Sequence, residues 1–116
     1  MENKDIYGKT YPCHTREQVE KAVEVLTEAV KDLHVGTDYI SLIVETEDGE
    51  CNYGMEMCNV LDYEYLAVGM WGNGTAKIFD ASSEAEDAIW WMLEDMEVAV
   101  GEEFSFTLTY EETKPL

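Results

Sequence analysis

Two stretches of the chain place apolar residues at helical spacing. Ala85, Ala88, Ile89, Met92, Leu93, Met96 and Val100 recur at i, i+3, i+4 and i+7, which aligns them on one face of a helix over Ser82 to Val100. Val19, Ala22, Val23, Leu26, Ala29, Val30 and Leu33 keep the same period and predict a helix over 16–34. Thr15-Arg16-Glu17-Gln18 marks its start as a capping box, and Gly36 is placed to end it in a left-handed conformation. In the later helix Ser83 and Glu86 stand at capping-box spacing, Glu84, Glu86 and Asp87 suit the positive end of the dipole, and Gly101 closes it.

Between and after the helices the period changes to two. From Tyr39 to Glu47, Ile40, Leu42 and Val44 alternate with Ser41, Ile43 and Glu45, and Asp48-Gly49 is a hairpin turn signature. Cys51 to Cys58 runs back with Cys51, Tyr53, Met55 and Met57 on one face. A second hairpin joins Tyr65–Trp71 to Thr75–Asp80 through Gly72-Asn73-Gly74, and Phe104, Phe106, Leu108 and Tyr110 form a last half-buried strand. Ile6 to Pro12 reads as an extended arm or an extra strand at the front. The expected order is α-β-β-β-β-α-β. It implies an α+β fold in two layers, a mainly antiparallel four- to five-stranded sheet with two amphipathic helices on one side, forming a single domain over 1–116.

Composition agrees with a folded domain: 46% of residues are hydrophobic and 11% aromatic, too many for intrinsic disorder. Charge changes the picture more. The chain has 26 acids against 7 bases, a net charge of −19, and residues 45–112 carry 18 carboxylates with Lys77 as their one base. Such a surface excludes direct binding to nucleic acid or an anionic membrane and favours a basic partner or divalent cations. Cys13, Cys51 and Cys58 are odd in number and lack CxxC spacing, so reduced thiols and a cytoplasmic location are expected. No secretion signal or membrane span is expected from the N-terminal stretch or the apolar runs.

The motifs that would define a reaction are missing. Cys13-His14 precedes a helix, where a thiolate would be favoured, but the pair is adjacent in sequence and no orienting acid accompanies it. Glu45, Glu47, Asp48 and Glu50 crowd one turn without the EF-hand pattern, and the segment from Gly69 to Gly74 lacks phosphate-loop spacing. No enzyme activity, cofactor or dedicated metal site is expected. The candidate binding residues are Glu84, Asp87, Trp90, Trp91, Glu94, Asp95 and Glu97 on the back of the second helix, together with Glu45, Glu47, Asp48 and Glu50 on the hairpin. Indoles ringed by acids suit an arginine-bearing partner, since guanidinium stacks on aromatic faces. The same residues also suit a homodimer seam.

In size, charge and architecture the chain resembles the small acidic inhibitors encoded by phages and plasmids, the anti-CRISPR and anti-restriction proteins. That resemblance implies a stoichiometric inhibitor of a basic nuclease, a Cas9-type CRISPR effector or a restriction enzyme, acting as a nucleic-acid mimic on arginine-lined channels. The alternative is an immunity protein that neutralises a basic bacterial nuclease toxin. A small metal-binding domain or enzyme is the third class.

Overall fold

The strands are β1 (Lys9–Cys13), β2 (Asp38–Thr46), β3 (Gly49–Val60), β4 (Tyr63–Gly69), β5 (Lys77–Asp80) and β6 (Phe104–Glu112), with helices α1 (Arg16–Val30) and α2 (Ala85–Val100). The computed structural model describes residues 5–36, 38–46, 49–70, 76–100 and 104–112. The six strands form one antiparallel sheet in the order β1-β6-β2-β3-β4-β5. β2 to β5 are the expected meander, and β6 returns to lie between β1 and β2.

The expected order and strand number are corrected by β1. Lys9–Cys13 is too short and too polar to carry a period-two signal, and it becomes a strand because β6 offers it an edge, with Tyr11 opposite Phe106. Tyr11 stacks on Phe106 at 5.5 Å between ring centroids. Pro12 fits there because an edge strand has one side on which a missing N–H costs no ladder bond.

The capping box of α1 is present in full: Gln18 N–H donates to Thr15 Oγ1 at 3.2 Å, and Thr15 N–H donates to Gln18 Oε1 at 3.1 Å. The regular helix ends at Val30, and Lys31, Asp32 and Leu33 continue it with i to i−3 bonds, so Leu33 stays buried as its period requires. Gly36 takes its left-handed φ of +74°, beyond this extra turn. α2 starts later than expected. Asp80 Oδ1 accepts from the amides of Ser82 and Ser83 and from the Ser82 hydroxyl, while Asp80 N–H donates to Glu84 Oε1 at 2.9 Å. These reciprocal bonds between Asp80 and the residues up to Glu84 cap the turn at 81–84 that leads into α2, in place of the expected Ser83 and Glu86 pair. The positions expected to end α2 (Gly101) and to form the turns at Asp48 and Gly72-Asn73-Gly74 lie outside the described residues.

Both helices cover the same face of the sheet. Leu26 from α1, Ile89, Met92 and Met96 from α2, and Ile40, Leu42, Val44, Met55, Leu66, Phe106 and Leu108 from the strands make one buried cluster. Each such side chain contributes about 1.5–3 kcal/mol relative to exposure. The alternate residues of the strands, including Tyr39, Ser41, Gly54, Glu56, Tyr65 and Ile78, point to the other face, which no described element covers. Among the described residues no helix is long and apolar enough to cross a membrane.

Candidate functional site

The expected acidic surface divides into two places on opposite sides of the sheet. At the start of α2 and along it, Glu84, Asp87, Glu94 and Glu97 are exposed, and Val98 beside them is 87% exposed. On the hairpin, Glu45 and Glu50 are exposed and face each other directly across β2 and β3, on the sheet face away from the helices. Like charges in that register repel. Glu47 and Asp48 lie outside the described residues.

Three of the residues expected on the exterior of α2 are drawn inward. Trp90 and Trp91 are half-buried and both pack against the core. Adjacent positions on a helix diverge by about 100°, so the two rings close opposite flanks of α2. Trp91 lies 6.1 Å from the Phe79 ring, and Lys77 Nζ sits 5.1 Å from Phe79 and 5.6 Å from Trp91. The single base of the acidic span is thereby engaged by two aromatic faces. Asp95 accepts a hydrogen bond of 2.8 Å from the hydroxyl of Tyr53, whose ring is buried in the sheet. Burial first, and then this carboxylate, push the Tyr53 hydroxyl well above the ordinary tyrosine range. Asp95 thus ties α2 to β3.

The uncompensated charge is the electrostatic feature of these faces. The ion pairs of α1 join residues of that helix to each other, at Arg16–Glu20, Lys21–Glu24 and Lys31–Glu28. Among the described residues, neither α2 nor the Glu45–Glu50 pair has a cation within ion-pair distance.

A polar cluster absent from the sequence reading closes the end of the sheet beside α1. Asp38 Oδ1 accepts from His34 N–H at 2.7 Å, while Oδ2 accepts from the Tyr110 hydroxyl and lies 3.0 Å from His34 Nδ1. Tyr7 donates to Asp32 Oδ2 at 2.7 Å, and the Tyr7 and Tyr110 rings are 5.4 Å apart. Burial alone would raise the Asp38 carboxyl, but the bonds from Tyr110 and His34 outweigh it and hold the group below its ordinary value. The cluster fastens the end of α1 to β2 and β6. Its signal in the sequence is parity: Asp38 stands in phase with Ile40, Leu42 and Val44.

Cys13 faces the core opposite Phe104, and burial pushes its thiol up to about 12, so it is not the helix-activated thiolate its position suggested. Cys51 and Cys58 are free and alternate to opposite sides of β3. Among the described residues no three His, Cys, Asp or Glu side chains are grouped to hold a metal ion. Searches against protein-family models, curated proteins and solved structures find no match to the chain.

Proposed function

We propose that this domain is a stoichiometric inhibitor that occupies the basic nucleic-acid-binding surface of a nuclease, its carboxylates standing in for backbone phosphates. The observation that carries the reading is the uncompensated acidic field: 18 carboxylates and one base over residues 45–112, with that base stacked on Phe79 and Trp91. Arginine and lysine in a nucleic-acid channel would form charge-assisted bonds to these groups and shed their condensed anions. Glu84, Asp87, Glu94 and Glu97 at the start of α2 and along it, and Glu45 and Glu50 on the sheet, are among the available contacts. A Cas9-type effector or a restriction enzyme is the target class.

The test is a cleavage assay with purified Cas9-type and restriction nucleases, titrated with this protein at several salt concentrations. Inhibition is expected to saturate near one equivalent, to be relieved by excess nucleic acid, and to weaken steeply as salt rises. Absence of inhibition in every nuclease tried, or binding that ignores salt, would overturn the proposal. Inhibition confined to a nuclease toxin would instead identify an immunity protein.

A further inference from the structure

The uncovered sheet face is shaped as well as charged. Across β6, β2, β3 and β4, the register aligns Thr109, Ser41, Gly54 and Gly69 in one row of small residues. The next row aligns Glu111, Tyr39, Glu56, Ala67 and Ile78 from β6 to β5. The small row lies below its neighbour and leaves a cleft of about 540 Å³ lined by Tyr39, Ser41, Asn52, Gly54, Glu56 and Glu111. The register sets the Tyr39 ring between two acids, Glu111 on β6 and Glu56 on β3. Neither Glu56 nor Glu111 has a cationic partner among the described residues.

This arrangement selects a guanidinium. Its plane stacks on an aromatic ring while its fork of donors reaches carboxylates, whereas an ammonium is a hydrated point charge that does neither as well. The same row continues to an apolar end. Ile78 is 63% exposed, Tyr63 and Tyr65 lie 6.2 Å apart on the same face, and Tyr65 stands next to Glu64 on the β4 ladder opposite Asp80. From Tyr39 on β2 to Ile78 on β5 there are three strand spacings, about 14 Å. That distance matches four residues of extended chain at about 3.3–3.6 Å each, and residues four apart on a strand point the same way.

We propose that this face docks an extended segment of a basic protein partner, one arginine entering the cleft between Glu56 and Glu111 and an apolar side chain four residues away resting on Ile78 and Tyr65. This deepens the function proposed above and rests on it for the identity of the partner as a basic protein; the α2 acids then serve to attract that partner rather than to grip it.

Two measurements separate the docking face from the function. In the first, the ¹⁵N-labelled protein is titrated with the peptide Gly-Ser-Arg-Ser-Gly-Ser-Leu-Ser-Gly and with the same peptide carrying Lys for Arg. Amide shifts are expected at Ser41, Asn52, Gly54 and Ala67, with affinity at least tenfold lower for the Lys peptide and for Glu56→Gln. Shifts confined to residues 84–97, equal affinity for both peptides, or no shifts would overturn the docking face. In the second, nuclease inhibition is compared for wild type, Glu56→Gln, Ser41→Phe and the double variant Asp87→Lys with Glu94→Lys, each checked for native spectral dispersion. Loss of at least tenfold in inhibition for the two cleft variants, with a smaller loss for the α2 variant, supports the proposal. The reverse order removes the cleft and leaves the inhibitory function standing, while a wild-type protein that inhibits no nuclease but binds the arginine peptide at the cleft removes only the function.

Discussion

Asp38 is 4% exposed and the only charged residue in the described chain that is buried. Its carboxylate is retained because the Tyr110 hydroxyl and the His34 amide and ring converge on it, each bond to a charge offsetting desolvation by about 1.5–3 kcal/mol. Asp38→Asn is therefore expected to lower stability by about 2 kcal/mol at neutral pH, read from urea unfolding. A carboxyl held below its unfolded value of 3.8 contributes stability that is present above that value and lost as pH falls through the lower folded one. The gap between wild type and Asp38→Asn should accordingly narrow as pH falls below 3.8; an unchanged gap in acid would mean the side chain's shape, not its charge, holds the cluster. Tyr53 and Asp95 allow a separate check. Tyr53→Phe and Asp95→Asn should each destabilise, with a coupling of about 1–2 kcal/mol in the double-mutant cycle. A coupling near zero would return Asp95 to the surface acids among which the sequence placed it. Neither role was legible from residue type, because a carboxylate's use depends on whether a donor arrives from another strand or helix, and those arrive from 42 and 72 positions away in sequence.

The elements were more legible than their joints. Long periodic runs declare themselves, so α1 from its capping box, α2 from its apolar stripe, and β2, β3 and β6 from their alternation are where the pattern puts them. β1 was legible only as an extended arm or an extra strand, with no means of choosing, because tertiary pairing with β6, not local pattern, makes it a strand. The turn between β3 and β4 was missed for a different reason. Leu61 and Asp62 hold φ of 51° and 69°, the two left-handed residues of a type I′ hairpin, yet neither is the Asn or Gly that marks such turns. A left-handed conformation costs a residue like leucine about 1–2 kcal/mol, and Leu61 is 91% exposed, so burial does not offset it. The double substitution Leu61→Asn with Asp62→Gly should raise stability by about 1–2 kcal/mol, measured by urea denaturation. At the other end of the chain, Thr15→Ala should lower it by about 1 kcal/mol, since the Gln18 amide at the start of α1 loses its side-chain acceptor. Equal stability of Leu61→Asn/Asp62→Gly and wild type would show that the turn relaxes its strain elsewhere.

At the scale of the whole molecule, the net charge of −19 acts in opposite directions on stability and on recognition. Folding concentrates carboxylates that the unfolded chain holds further apart, so the native state bears the larger repulsion, most directly at Glu45 and Glu50 facing each other across one ladder. Salt screens that repulsion: the Debye length falls from about 30 Å at 0.01 M to about 10 Å at 0.1 M. The melting temperature of the free protein should therefore rise by about 5 °C over this range, if screening recovers about 1 kcal/mol. Glu45→Gln with Glu50→Gln should raise it at low salt and flatten its salt dependence, because a directly opposed like-charged pair is removed. Binding to a basic partner responds with the other sign, since there screening weakens attraction. The two trends measured on one sample distinguish a charge kept for recognition from one that is merely tolerated. A melting temperature that falls with salt would mean that the carboxylates sit in favourable networks within the fold, and the acidic field would then no longer be uncompensated charge available to a partner.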